Sequence, residues 1–233
     1  MINLYTFSDS STAAGQVTEL YNWLSEYAAP FCDEIRINPS TATTIDFFEG
    51  GVLLMQIYCV ANFPHGKIWY KRNAQASTWT ARNFQGASGF KYAAATGKGF
   101  MLLNSGSPLD GIYVSKDNNG QTVIAMADIG TSSIGRRQMI AARPKTYGYS
   151  ELLEQSSGNT YLDLFFRPAQ YTSLTPVVVN TGIDYTYASG ADFSVCENMF
   201  ICSYSATSRG IEVYKMNLND KSYITNGYIA IAE

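Results

Sequence analysis

Charged side chains are scarce in this sequence, and the basic ones are not concentrated anywhere. Charged residues make up 15% of the 233 positions, against about 25% in an average globular domain, and the net charge is −3. Phosphate binding requires clustered Lys and Arg, so the composition argues against nucleic acid as the main ligand. Aromatic residues reach 14%, with 17 Tyr and 12 Phe, which is typical of half-buried pleated surface and of protein–protein contacts.

Targeting and membrane-spanning signals are also missing. The opening segment, Met1–Ser10, has no basic stretch followed by an apolar run, so we predict no signal peptide. The longest apolar runs, such as Gly51–Val60, have the length of a strand and fall far below the ~20 residues that a membrane helix needs. We therefore expect a soluble protein, made in a cytoplasm, with no membrane partner.

The residues that catalysis or metal binding would need are few. The one histidine, His65, lies in the loop-like segment 62–66, and no nucleophile elbow is present for a triad that would include it. One His and scattered Cys lack metal-ligand spacing. The segment Gly97-Lys98-Gly99 is too short for a phosphate-binding loop. We predict no catalytic residue, no cofactor, no metal site and no enzymatic activity.

The four cysteines, Cys32, Cys59, Cys196 and Cys202, form no CxxC pair and lie in apolar or aromatic surroundings. We predict reduced, buried thiols, because free Cys packs as a small hydrophobic side chain. If the chain between Cys196 and Cys202 is one uninterrupted strand, the two thiols share a face but are too far apart to form a disulfide.

Carboxylate chemistry is the one enzymatic alternative that the sequence leaves open. The segment Ser115–Thr122 resembles the Asp-box hairpin of sialidase-like propellers with one extra turn residue, and in that motif the Asp ties off the turn without taking part in catalysis. We find no further copies, so a propeller is not predicted. Asp33, Glu34, Asp46 and Glu49 cannot be paired from sequence alone, and a glycosidase-type hydrolase remains the third hypothesis.

One amphipathic helix is predicted near the N-terminus. Hydroxyl side chains at 10–12 offer N-caps, and Pro30 ends the helix. Trp23 lies beside its apolar stripe, which consists of Val17, Leu20, Tyr21, Leu24, Tyr27 and Ala28. Two interpretations stay open, since this face could pack on the core or dock on a partner.

After residue 31 the apolar period changes to two, which predicts strands. Turn residues separate them, and Asp117-Asn-Asn-Gly120 is the best hairpin signal. The predicted strands are Glu34–Asn38, Ile45–Phe48, Val52–Ala61, Lys67–Arg72, Thr78–Phe84, Gly99–Leu103, Gly111–Lys116, Gln121–Ala127, Tyr161–Arg167, Pro176–Val179, Asp192–Cys196, Met199–Tyr204, Ile211–Met216 and Tyr223–Ala230. Many short strands favour a sandwich or barrel over a βαβ arrangement.

Residues 128–160 break this pattern and are the place for any domain boundary. Tyr147–Gln155 could form a brief helix or an irregular connection, and Ser156–Asn159 is a predicted turn. We predict a mainly β (α+β) fold, a β-sandwich-like body with one N-terminal helix. An N-terminal region 1–145 precedes a C-terminal β region 146–233, and the two could form one compact domain.

A cluster of aromatics among basic residues is the remaining functional signal. Its members are Trp69, Tyr70, Trp79, Phe84 and Tyr92. Exposed aromatics beside polar groups could stack on sugar rings, which would make this a glycan-binding face. Strand alternation, however, turns every second residue inward, so a core or subunit-interface role is the competing interpretation.

The two ends of the chain carry a family resemblance. Leu4-Tyr-Thr-Phe-Ser-Asp followed by Leu20-Tyr-Asn-Trp-Leu-Ser resembles the opening of small phage-encoded appendage and structural proteins from gut-type bacterial viruses. The ending Tyr223-Ile-Thr-Asn-Gly-Tyr-Ile-Ala-Ile-Ala-Glu is similar to the strand that closes such chains. The resemblance covers these end segments only and carries over no catalytic residue.

That resemblance implies a role in the virion, as a tail, fibre, baseplate or capsid-decoration protein. We expect a non-enzymatic homo-oligomer that contacts other virion proteins and resides in the particle after synthesis in the host cytoplasm. The alternative is a host-receptor or glycan-binding module of the virion, engaged in host attachment.

Overall fold

The structure is a computed structural model, and it describes residues 1–8, 13–59, 66–70, 78–84, 90–104, 111–128, 137–144, 149–156, 159–162, 174–180, 193–202 and 213–233. These ranges contain the α-helix α1 (Ala13–Tyr27), a short 3-10 helix (Ala29–Phe31) and 18 strands. The strands are β1 (Asn3–Thr6), β2 (Glu34–Ile37), β3 (Thr44–Glu49), β4 (Val52–Tyr58), β5 (Gly66–Tyr70), β6 (Thr80–Phe84), β7 (Phe90–Thr96), β8 (Gly99–Asn104), β9 (Gly111–Lys116), β10 (Thr122–Asp128), β11 (Arg137–Ala142), β12 (Tyr149–Ser156), β13 (Asn159–Leu162), β14 (Leu174–Asn180), β15 (Phe193–Cys202), β16 (Tyr214–Leu218), β17 (Lys221–Thr225) and β18 (Ile229–Ala232). The predicted mainly β fold with one N-terminal helix is confirmed.

The strands form a 13-stranded sheet and a five-stranded sheet, with antiparallel pairing throughout. The larger sheet has the order β1-β7-β8-β9-β10-β11-β12-β14-β15-β18-β17-β16, with β13 paired to β12. The smaller sheet has the order β2-β3-β4-β5-β6. The boundary expected at residue 145 lies between β11 and β12, which are hydrogen-bonded neighbours in one sheet.

The strands β7–β11 form a central layer that is buried on both faces. All six residues of β8 are buried, and its sequence, GFMLLN, is nearly continuous in apolar residues, as expected for a strand covered on both sides. One face packs on α1 and the five-stranded sheet through Phe100, Leu102, Ile112, Ile124 and Ile140. The other face packs on the C-terminal strands through Met101, Leu103, Tyr113, Val123 and Met139. The core is therefore built in three layers.

The helix α1 presents its apolar stripe to this core. Val17, Leu20 and Leu24 are buried there, and Tyr21 and Tyr27 pack against the same cluster. Beside the stripe, Trp23 meets Phe100 of the central layer edge to face at 6.2 Å between ring centroids. Pro30 lies in the first turn of the 3-10 helix, where its missing N–H costs nothing. The possible cap residues at 10–12 are outside the described residues.

Two expectations about local structure were wrong. A brief helix or an irregular connection was expected over Tyr147–Gln155, but its described part belongs to the strand Tyr149–Ser156, which pairs along its length with β11 and β13. The single strand expected over 223–230 is divided into β17 and β18 by a turn. In this turn Gly227 has a φ of +92° and the Asn226 side chain accepts hydrogen bonds from the N–H groups of Tyr228 and Ile229.

The expected strands Asp192–Cys196 and Met199–Tyr204 form one strand, β15, with a bulge in it. Its register against β14 shifts between Pro176 and Val178. A bulge inserts residues and reverses the alternation of side chains beyond it. Cys196 consequently lies in the core under the central layer, whereas Cys202 lies on the opposite face. The uninterrupted strand that a shared face would require is not formed.

Several expectations concern residues that the structure does not describe. The histidine His65, the predicted turn between 156 and 159 and the end of the strand expected over Tyr161–Arg167 lie partly or wholly outside the described residues. Sequence reasoning also missed β1 and β7. The alanine run in β7, FKYAAAT, is poor in β-branched residues, but its alanines fit between two covering layers.

We predict that Gly99→Ala destabilises the protein, because β8 approaches β18 closely at this point. A Cβ at Gly99 would lie 2.5 Å from the carbonyl oxygen of Val114 and 2.8 Å from Cγ2 of Ile231. Overpacking of this kind costs about 1–3 kcal/mol. Chemical denaturation should show this loss.

The matched control is Gly97→Ala, two residues away in the same hairpin, where a Cβ would have no neighbour within 4 Å. We expect its free energy of unfolding to change by less than about 0.5 kcal/mol. Equal effects of the two substitutions would contradict the packing of β8 on β18.

Candidate functional site

The predicted aromatic cluster is divided among different environments. Tyr70 and Phe84 are 0% exposed and belong to the core between the central layer and the five-stranded sheet. Tyr92 is half-buried beside the cluster beneath the C-terminal strands. Trp69 is half-buried, and Trp79 is 44% exposed. Only the two tryptophans are thus placed where they could meet a ligand.

Trp69 lies beside a polar row that crosses all five strands of the smaller sheet. The register places Arg36 opposite Asp46, Asp46 opposite Gln56, Gln56 opposite Lys67, and Lys67 opposite Asn83. The alternate residues Ile35, Ile45, Ile57 and Ile68 pack on the core, so this row lies on the outer side of the sheet. We call this surface the ladder face, and define it as the five row residues with Glu34, Asn38, Phe48, Tyr58 and Trp69.

A hydrogen-bond network centred on Asp46 orders the ladder face. The carboxylate of Asp46, 3% exposed, accepts from Asn38 Nδ2 at 2.8 Å and from Gln56 Nε2 at 2.9 Å. The hydroxyl of Tyr58 donates to Gln56 Oε1 at 3.0 Å. Burial and the nearby charge of Asp46 raise the pKa of Tyr58, so its hydroxyl keeps the proton that it donates. The side chains are thereby fixed before any ligand arrives.

Two cations of the ladder face lie over aromatic rings. The guanidinium of Arg36 is 4.4 Å from the centroid of Phe48 and 3.4 Å from the carboxylate of Glu34. Nζ of Lys67 lies 5.0 Å from the ring centroid of Trp69. These cation–π contacts are attractive and orient the rings. Among the described residues of this surface, the two cations Arg36 and Lys67 balance the two carboxylates Glu34 and Asp46.

Sequence reasoning missed the row because register is not visible in a sequence. The polar residues alternate with apolar ones on β2–β5, which was a signal that one face of each strand is polar. Asp46 was considered only as a candidate for a carboxylate pair. Its actual neighbours are amides and a cation rather than a second carboxylate.

The hairpin between β9 and β10 is fastened by a buried ion pair. Asp117, 6% exposed, accepts through Oδ2 from Nε of Arg143 at 2.8 Å and from the hydroxyl of Ser194 at 2.5 Å. Nη2 of Arg143 lies 2.6 Å from the same oxygen, which adds an ion pair but no second well-aligned hydrogen bond. Oδ1 of Asp117 accepts from the backbone N–H groups of Asn119 and Gln121. The Asp therefore ties off the turn, as in the Asp-box motif.

The same turn is joined to the C-terminal strands. The N–H of Asn118 donates to the carbonyl of Val195 at 2.8 Å, and its side-chain oxygen accepts from the N–H of Val195 at 3.3 Å. Burial alone would raise the pKa of Asp117. The hydrogen bonds from Ser194, Gln121 and Arg143, together with the charge of Arg143, lower it overall. The carboxylate is thus a structural clamp between the central layer and β15.

A third feature is an apolar cluster on the side of the C-terminal strands that faces away from the central layer. Three of its members, Cys202, Tyr223 and Ala230, are buried, and the others are half-buried. We call it the apolar band. It consists of Leu174, Phe200, Cys202, Met216, Leu218, Tyr223, Ala230 and Ala232. Phe200 and Tyr223 meet edge to face at 5.8 Å between ring centroids. The band ends at β16, the last strand in the order of the described sheet.

A cleft of about 370 Å³ lies between β1 and α1, lined by Asn3, Tyr5, Glu19, Asn22, Trp23, Glu26 and Tyr27. Its carboxylate Glu19 accepts from the backbone and hydroxyl of Ser8 and from the hydroxyl of Tyr5. Burial opposes ionisation, but these hydrogen bonds outweigh it and lower the pKa of Glu19. A carboxylate held ionised in this way is unsuited to act as the general acid of a glycosidase.

The four cysteines are free and buried, as the sequence predicts. Burial raises the pKa of Cys32 and of Cys59 to about 12 and that of Cys202 to about 11, and it raises the pKa of Cys196 as well. Since the thiolate is the reactive form, these thiols are poor nucleophiles and poor metal ligands at neutral pH.

Comparisons with protein-family models, with curated proteins and with solved structures find no match to this chain. In the part of the chain that the structure describes, no group of three His, Cys, Asp or Glu side chains could hold a metal ion. None of the described helices has the length and apolar character to cross a membrane. Function is therefore inferred from the ladder face and the apolar band.

We predict that Asp117→Asn destabilises the protein by about 3–5 kcal/mol near neutral pH, because it leaves the buried Arg143 without its counter-charge. Because the pKa of Asp117 is lower in the folded protein than its ordinary value of 3.8, the ionised carboxylate stabilises the fold at pH values above 3.8. This stabilisation is lost as the pH falls through the lower pKa of the folded state. The gap in unfolding free energy between wild type and variant should therefore narrow below about pH 4. Urea denaturation between neutral and acid pH measures it.

Glu34→Gln is the control, since it removes an exposed ion pair with Arg36. We expect it to change the free energy of unfolding by less than about 1 kcal/mol. If Asp117→Asn were no more destabilising than Glu34→Gln, the clamp would not have the role described.

Proposed function

We propose that this protein is a non-enzymatic structural component of a phage particle, which assembles as a homo-oligomer in a tail, fibre, baseplate or capsid-surface position. The resemblance of both chain ends to virion proteins supports the setting. The apolar band supports assembly as the means of action, and it is the single observation on which the proposal rests most.

The apolar band is unusual because its last strand has its apolar side turned away from the core. In β16, Met216 and Leu218 are half-buried and belong to the band, whereas Lys215 and Asn217 are exposed on the other face. Lys215 is paired with Ile224 of β17, which is buried against the central layer, so Lys215 lies on the side of the sheet that faces that layer. The strand thus extends past the core and offers a Met and a Leu side chain to a neighbour.

The backbone of β16 adds a second means of association. It is the terminal strand in the order of the described sheet, and one row of its N–H and C=O groups faces away from β17. Such an edge is a template for pairing with another chain. Two copies paired through β16 would form an isologous, two-fold interface that also joins their apolar bands. A second copy of this chain, or another virion protein, is the partner that we propose.

Attachment to a host-surface glycan is the second candidate function. The ladder face favours it, because it combines an ordered polar row with aromatic rings on one side of a sheet. The two candidates use different surfaces, so one molecule could serve both.

We predict that the wild-type protein forms a concentration-dependent oligomer and that the double substitution Met216→Lys, Leu218→Lys weakens it. Burying two ammonium groups in an apolar contact is costly, so we expect the dissociation constant to rise by about tenfold or more. Light scattering coupled to size-exclusion chromatography measures the mass. Circular dichroism checks that the variant remains folded.

Asn217→Lys is the control, since it adds a lysine to the same strand on its other, exposed face. It should leave the oligomer intact. A wild-type protein that stays a monomer, both alone and mixed with virion fractions, would contradict the assembly proposal.

A further inference from the structure

We propose that the ladder face binds a neutral oligosaccharide, with Trp69 and Tyr58 as stacking platforms and the hydrogen-bonded row around Asp46 between them. This inference deepens the second candidate function by naming its site and ligand class. It does not depend on homo-oligomer formation or on the virion setting.

The polar row has the extended form and the mixed chemistry that a sugar chain requires. Five strands at about 4.8 Å spacing place its residues along roughly 19 Å of the sheet surface. Arg36 and Lys67 offer only donors, and the amides Gln56 and Asn83 offer both donors and acceptors. Asp46 is nearly buried and uses both of its oxygens to hold Asn38 and Gln56 in place. Sugar hydroxyls both donate and accept, so such a row could pair with successive hydroxyls of a chain.

The row is ordered in advance, which lowers the entropic cost of binding. Gln56 is fixed at both ends of its amide, since Nε2 donates to Asp46 and Oε1 accepts from Tyr58. Asn38 is fixed in the same way, as Nδ2 donates to Asp46 while Oδ1 accepts from the N–H of Ser40. Side chains held by hydrogen bonds lose little freedom when a ligand arrives.

The two aromatic platforms lie on opposite sides of the row. Tyr58 is two residues beyond Gln56 on β4, and Trp69 is two residues beyond Lys67 on the neighbouring antiparallel strand. Because Gln56 and Lys67 are directly paired, the Cα positions of Tyr58 and Trp69 are separated by about 13 Å along the strand direction. Both side chains are half-buried, and Nζ of Lys67 lies over the Trp69 ring, so a sugar would meet the part of each ring that stays exposed. An oligosaccharide could meet one ring with each end.

The charges of the ladder face favour a sugar over the other macromolecules that a flat polar face could bind. The face balances Arg36 and Lys67 against Glu34 and Asp46, whereas a phosphate backbone requires an excess of cations. The centres of protein interfaces are depleted of charge, and here a nearly buried carboxylate occupies the middle of the surface. An uncharged, hydroxyl-rich ligand is the class that fits both facts.

The test is an array that presents neutral oligosaccharides, such as glucans, galactans and mannans, beside acidic ones, probed with the full-length protein. We expect neutral hits, whose affinity is then measured by calorimetry. Trp69→Ala should weaken binding by about tenfold or more, while Trp69→Phe, which retains a platform, should bind nearly as the wild type does. Gln56→Ala should also weaken binding. The affinity should change little between about 0.05 and 0.5 M salt.

Tyr5→Ala is the control, because Tyr5 is a partly exposed aromatic on β1, outside the ladder face, and lines the other cleft. Thermal melts confirm that each variant is folded. No hit on the array, hits on acidic sugars alone, or full affinity in both Trp69→Ala and Gln56→Ala would overturn the proposal. Lost binding in Tyr5→Ala with intact binding in Trp69→Ala would also overturn it. None of these outcomes bears on the assembly proposal, which the mass measurement tests separately.

Discussion

The burial of the central layer on both of its faces is the constraint on which the rest of this structure depends. Strands β7–β11 separate two apolar clusters, one shared with the helix and the five-stranded sheet and one shared with the C-terminal strands. In the described residues, the C-terminal layer alone carries a further apolar cluster, the apolar band on its other side. Both outer layers can pack on the same strands because the packing is close. At Gly99 the backbone of β8 approaches Ile231 of β18, and in β7 a run of alanines takes up little space.

This arrangement explains why the polar features are where they are. A strand buried on both faces has no room for unpaired charge, so the buried ion pair of Asp117 and Arg143 lies at the end of the hairpin, where it joins the central layer to β15. The outer layers, by contrast, each have a face that the core does not need. The five-stranded sheet carries the ladder face on that side, and the C-terminal strands carry the apolar band. Both proposed binding surfaces are therefore consequences of a three-layer core.

Local features of the fold could be predicted from the sequence, and features that depend on register could not. The stripe of α1, the Asp117 hairpin and the buried cysteines follow from helical period, turn chemistry and side-chain type. The bulge in β15 was missed because it depends on the pairing with β14. The turn at Asn226 was missed although Asn226-Gly227 is a local hairpin signal. The aromatic cluster was divided by alternation, which left Trp69 outside and Tyr70 in the core. The polar row needed the pairing of five strands to become visible.

Native-state hydrogen exchange tests the central layer most directly. If β8–β10 are covered on both faces, their amides should exchange only through global unfolding, with opening free energies within about 1 kcal/mol of that for the whole protein. Amides of β2 and β6, at the two edges of the five-stranded sheet, should open at much lower free energy. Exchange in β8–β10 as fast as at these edges would contradict a core built on a layer that is buried on both sides.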